Sequence, residues 1–141
     1  MKFFVAADHA GVNLAKFTKG FLCARGFEVE CFLPNEERVD YPDYAKKLCR
    51  ALLREKDSRG VLVCGTGIGM SMCANRFNGI RAALCTDAYM AQMTRMHNDA
   101  NVLCLGERLI GQGVAESILE AFITTEFEVG RHLQRVRKID N

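Results

Sequence analysis

Short, continuously apolar runs alternate with longer stretches of helical period along the whole chain. The runs at 2–8, 27–32, 60–64, 80–85 and 101–105 are rich in Val, Ile, Leu, Phe, Ala and Cys and predict five strands. Their unbroken apolar character predicts strands covered on both faces. Between and after them, residues 10–25, 42–56, 67–77, 87–97, 111–124 and 128–138 predict six helices. Strands separated by helices predict an α/β fold, a three-layer α/β/α sandwich around a five-stranded parallel sheet. No repeat, low-complexity tract or Pro/Gly linker interrupts the 141 residues, so one domain over 1–141 is expected.

This architecture says where chemistry should gather. Open α/β sheets bind ligands beyond the carboxyl ends of their strands. Asp8-His9, Cys64-Gly65-Thr66, Thr86-Asp87 and Gly106-Glu107-Arg108 follow four of the five predicted strands. The run Cys64-Gly65-Thr66-Gly67-Ile68-Gly69 stands out, since a thiol ends a strand and three alternating glycines open the next helix. Free backbone N–H groups at such a turn hold an oxyanion and favour a thiolate. Three better-known loops are excluded. A Walker A loop needs Gly-Lys-Ser/Thr, and the only lysine after Gly60 is Lys138. Both registers of a dinucleotide Gly-x-Gly-x-x-Gly fingerprint fail, at Met70 and at Met72. Met70 also occupies the position where a cysteine phosphatase would carry its arginine. The bland alternative is a buried cysteine before a glycine turn made for packing.

Composition narrows the picture without directing it. A hydrophobic content of 49% and a charged content of 26% are ordinary for a globular protein. The net charge of +2 does not argue for nucleic acid or a membrane surface. No run reaches the ~20 apolar residues of a membrane span, and Asp8 comes too early for a signal peptide. The seven cysteines form no Cys-x-x-Cys pair, so a zinc ribbon or thioredoxin-type motif is absent and a reducing cytoplasm is the expected compartment. His9, His97 and His132 lack ligand-like spacing, and no metal is expected.

Three further constellations have two readings each. Asp8-His9-Ala10-Gly11 offers a carboxylate and an imidazole for sugar hydroxyls or phosphate, or else Asp8 only caps the following helix. His97, beside Asn98 and Asp99, is an acid/base candidate or a histidine complementing a helix dipole. Arg131 and Arg135, spaced i, i+4 with His132 beside them, form a phosphate-recognising pair or a solvated basic helix end. The basic stretch carries no interleaved aromatics, which disfavours an RNA-binding tail.

Together these motifs resemble the type B ribose-5-phosphate isomerases, whose family also holds galactose-6-phosphate and allose-6-phosphate isomerases. The resemblance runs through Ala7-Asp8-His9-Ala10-Gly11, Asp40-Tyr41-Pro42, Cys64 to Gly69, Gly79-Ile80-Arg81-Ala82, His97 to Leu103 and Gly130 to Val136. It implies a Rossmann-like sheet of order 2-1-3-5-4, no cofactor, and homodimers often paired into tetramers. In such dimers His97 and the arginines of the last helix complete the neighbour's site.

The resemblance also implies roles. Cys64 is the base that moves a proton between the first two sugar carbons, and Thr66 and His97 help open the furanose ring. Asp8 and Tyr41 contact the ring oxygen and hydroxyls. Asn98 and the amides of Gly65, Gly67, Ile68 and Gly69 stabilise the enediolate. His9, Arg108, Arg131 and Arg135 hold the phosphate, with His132 assisting. Members without the cysteine use a glutamate on the following helix; here Ser71-Met72-Cys73-Ala74-Asn75 holds no acid, which favours Cys64. An aldose–ketose isomerisation needs such a base and donors aimed at the developing oxyanion. The expected activity is therefore interconversion of ribose 5-phosphate and ribulose 5-phosphate, with a hexose 6-phosphate as the alternative substrate. A non-catalytic phosphosugar-binding module is the rival from another class, and a thiol redox protein a weaker third.

Overall fold

The computed structural model describes residues 1–141 as five strands and six helices in strict alternation until the last helix. In chain order these are β1 (Lys2–Ala7), α1 (Val12–Ala24), β2 (Glu28–Phe32), α2 (Tyr41–Arg54), β3 (Ser58–Cys64), α3 (Ile68–Ala74), β4 (Ala82–Leu84), α4 (Ala88–Asn98), β5 (Val102–Gly106), α5 (Gln112–Thr124) and α6 (Gly130–Asp140). All strands are parallel, in the order β2-β1-β3-β5-β4. The α/β expectation and the implied strand order both hold.

Alternate residues of the central strands feed two cores, as the two-residue strand period requires. Phe3, Val5, Val61, Val63, Leu103 and Leu105 pack beneath α1, α4 and α5. Phe4, Ala6, Leu62, Cys64, Val102 and Cys104 pack beneath α2 and α3. Cys64 thus lies on the α2/α3 side, as the last residue of a buried strand.

Three expectations need correction. Continuous coverage holds for β1, β3 and β5 but not at the sheet edges: β2 (Glu-Val-Glu-Cys-Phe) alternates exposed and half-buried, and β4 is only three half-buried residues. Edge strands have one neighbour and a shorter apolar lining. The third helix ends at Ala74 rather than 77, because the Asn75 side chain turns to the β4 edge. Its Nδ2 donates to the Ala82 carbonyl at 2.9 Å, and its Oδ1 accepts the Ala82 N–H at 2.8 Å. Asp8 does not cap α1: the N-cap is Gly11, and Asp8 Oδ1 instead accepts the Ala10 N–H at 2.9 Å.

Candidate active site

The carboxyl ends of β1, β3 and β5 bring one half of the predicted site together. Asp8, His9, Tyr41, Cys64, Gly65, Thr66, Ile68, Gly69 and Arg108 line a cleft of about 460 Å³, with Ala10 and Met72. A wider groove of about 1280 Å³ adjoins it and shares His9 and Arg108.

Cys64 is 6% exposed, and the Gly67 N–H donates to its sulfur at 3.1 Å. An amide donor at that distance stabilises negative charge on sulfur. Gly67 makes the contact possible by adopting φ +78°, a left-handed conformation that suits glycine. Three other thiols lie in the core. Burial pushes Cys49 and Cys85 up to about 12, and Cys104 well above its ordinary value. Those three act as small core hydrophobes.

The rest of the loop is held by close approach. A Cβ on Gly69 would lie 2.5 Å from the Tyr41 ring, so only glycine lets that ring lie against the loop. The Arg108 guanidinium packs on Gly65, and the Arg108 N–H donates to the Gly65 carbonyl at 3.1 Å. Glu107 joins three elements: its N–H donates to the Cys64 carbonyl at 2.9 Å, while its Oε1 accepts the Leu14 N–H of α1 at 2.7 Å. Its carboxylate thus stands in for a missing N-cap side chain. Sequence reasoning gave Glu107 no role, although its place after β5 in Gly106-Glu107-Arg108 marked it as a strand-end residue. On the other wall, the Val39 N–H donates to His9 Nδ1 at 3.1 Å. The neutral His9 ring therefore carries its proton on Nε2.

His97, Asn98, Arg131, His132 and Arg135 are not at this cleft. α4 starts after the carboxyl end of β4 and returns to the amino end of the sheet, so His97 and Asn98 precede β5 while Cys64 pairs with its last residue, Gly106. Five strand residues span roughly 17 Å at ~3.3 Å each. The His97 and His132 rings stack with centroids 4.3 Å apart, and α6 lies against α4. Arg81 ties this end together: its Nε donates to the carbonyls of Asn98 and Asp99, and its Nη1 pairs with Asp140 at 2.7 Å. Glu128 also lies here, with its carboxylate near both histidines. The long gaps between residues 97, 128 and 132 hid this convergence from the sequence. Arg108, Arg131 and Arg135 have no carboxylate within ion-pair distance and remain free to meet an anion.

A parallel sheet whose carboxyl edge gathers a thiol, a hydroxyl, a carboxylate and the unpaired Arg108 guanidinium defines an α/β protein with a polar cleft at its strand ends. Within that class the chain belongs to the ribose/galactose isomerase family, whose family model matches residues 3–139. It is 43% identical to ribose-5-phosphate isomerase B of Escherichia coli, over 94% of this chain and 89% of that one. It is 42% identical to a D-erythrulose-4-phosphate isomerase of Pectobacterium atrosepticum, over 96% and 90%. A ribose 5-phosphate isomerase structure from Thermotoga maritima superposes with a TM-score of 0.94 at 48% identity, covering 99% and 97% of the two chains. Ribose-5-phosphate isomerase B of Mycoplasma genitalium, solved with bound ribulose 5-phosphate, gives 0.94 at 37% identity, covering 99% and 93%.

Proposed function

We propose that this chain is an aldose–ketose isomerase that interconverts ribose 5-phosphate and ribulose 5-phosphate, with Cys64 as the base. The observation that carries the reading is the Cys64 sulfur at the end of β3, held by the Gly67 amide and lining the same cleft as Asp8, Tyr41 and Thr66. Family membership and the relatives' names support the reaction class.

The chemistry follows from these groups. Thr66, with His97 supplied by a second copy, moves protons between the anomeric hydroxyl and the ring oxygen so that the furanose opens. Asp8 and Tyr41 hold the ring oxygen and hydroxyls. The Cys64 thiolate removes the proton from the second carbon, and negative charge develops on the carbonyl oxygen. The loop amides and Asn98 of the second copy receive that charge; losing one such donor costs ~3–4 kcal/mol of barrier. The same thiol returns the proton to the first carbon while the hydroxyl proton on the second carbon's oxygen passes to the first carbon's oxygen, which leaves the carbonyl at the second carbon and completes the aldose-to-ketose step. His9 Nε2–H and Arg108 take the phosphate from one chain, and Arg131 and Arg135 from the other, with His132 in support. Phosphate contacts remote from the reacting carbons supply binding energy for positioning them. Every step uses protein side chains and amides alone.

The requirement for a second copy rests on the separation of the two half-sites along β5. An apolar rim around the cleft also favours a covering partner: Tyr41, Ile68 and Met72 are 40%, 45% and 64% exposed. A homodimer, which pairs into tetramers as the family resemblance implies, provides that cover. The single domain over 1–141 then supplies both halves of the shared sites, with α6 acting at the interface.

A longer sugar is the competing substrate, since the groove beyond His9 and Arg108 leaves room past a pentose. Comparing kcat/KM for ribose 5-phosphate with allose and galactose 6-phosphates decides between them, and the pentose is expected to win by tenfold or more. Cys64→Ala should lower kcat by about 10²–10⁴ while ribose 5-phosphate still binds. Wild-type turnover in deuterated water should place label at the second carbon of recovered aldose. Near-normal kcat in the alanine variant would remove Cys64 from the base role.

A further inference from the structure

At the amino end of the sheet, His97, Glu128 and His132 each point one ligating atom into a common space, with all three atoms within 4.8 Å of one another. We infer that these side chains form a binding site for a divalent transition-metal ion, with Zn²⁺ the best match, and that the occupied site withdraws His97 from catalysis.

The donor set is two imidazoles and one carboxylate, a combination that suits zinc with water as fourth ligand. His132 is the fixed member. It is 5% exposed, and its Nε2 is buried without any hydrogen-bond partner. A buried ring nitrogen that served packing alone would be paired with a carbonyl or a hydroxyl. An orphaned one is a lone pair or an N–H awaiting something.

The supporting backbone is tied down on all three sides. The Glu128 N–H donates to the Met96 carbonyl at 3.0 Å, and the His132 N–H to the Val129 carbonyl at 2.9 Å. Arg81 holds the carbonyls just after His97. Tetrahedral zinc with bonds of ~2.0–2.1 Å brings ligand atoms to roughly 3.4 Å from one another. The half-buried His97 and the exposed Glu128 therefore close in by side-chain rotation, and the two rings splay from the present 15° interplanar angle.

The effect on turnover rests on the proposed ring-opening role of His97; metal binding does not. The two are separated by experiment. Full-length Cys64→Ala protein, stripped with EDTA, is titrated with Zn²⁺ by calorimetry and with Co²⁺ by visible absorption, the thiol change removing the one cysteine that could compete at the cleft. One ion per chain is expected, with the visible bands of four-coordinate Co²⁺ and no sulfur-to-metal charge transfer. Glu128→Gln and His132→Gln should each weaken Zn²⁺ binding by about tenfold or more. With Cys64 restored, Zn²⁺ should inhibit isomerisation reversibly, and Glu128→Gln should keep its basal rate while losing the inhibition. No Zn²⁺ binding, or binding that neither substitution weakens, would overturn the site and leave the isomerase reading intact. Binding that these substitutions weaken, with turnover untouched by Zn²⁺, would uphold the site and remove His97 from ring opening.

Discussion

Cys64 and Cys104 occupy neighbouring strands on the same side of the sheet, yet only Cys64 meets a cleft and an amide. The difference is position along the strand. Cys104 is two residues inside the end of β5 and fully buried, whereas Cys64 is the last residue of β3. Gly69 shows the same dependence on fractions of a side chain. Gly69→Ala puts a methyl 2.5 Å from Tyr41, so the ring must leave the loop. A loss of about tenfold to a hundredfold in kcat/KM is expected, with little change in thermal stability, because both residues lie at the surface of the cleft. His132 carries a pH signature. Its folded pKa is lowered from 6.5, by burial first and His97 second, so below pH 6.5 the unfolded chain binds more protons than the native one. Native stability therefore falls as pH drops through 6.5 toward the lowered value, below which the contribution is spent. Denaturant midpoints measured across that window should fall for the wild type and fall less for His132→Asn.

At the scale of elements, Glu107 is the residue that fixes α1, β3 and β5 against one another. Glu107→Ala removes the acceptor of the Leu14 N–H and an anion from a helix N-terminus, a change of about 1–2 kcal/mol in unfolding free energy. Chemical denaturation should show that loss, and turnover should fall as well because the Cys64 and Arg108 loops share the same turn. Elements of this kind were legible only in part. Strands β1, β3 and β5 and the helices between them followed from apolar period, because burial on both faces leaves a strong mark on composition. Their boundaries did not. β3 begins at Ser58, where polar residues pair with Lys2 and Phe3, and α3 stops where Asn75 borrows the backbone of β4. Both effects are made by partners distant in sequence. The strand-end residues of the cleft were readable because strand ends are; Glu107, the Val39 bond to His9 and the meeting of His97, Glu128 and His132 needed the folded chain.

For the whole molecule, the decisive fact is that the length of the sheet separates the two groups of proposed site residues. No helix is long and apolar enough to cross a membrane, and the exposed apolar residues Tyr41, Ile68 and Met72 line the cleft. A two-fold pair would let the cleft of one copy receive His97 and the arginines of the other. Kinetics of mixed dimers test that account directly. Cys64→Ala and His97→Asn chains are each expected to be nearly inactive alone. In a mixed dimer, one of the two sites has both residues intact and the other has neither. Random pairing of equal amounts should therefore restore about one quarter of wild-type activity, since half the dimers are mixed and each carries one working site. Formation of mixed dimers with no recovered activity would contradict a shared site.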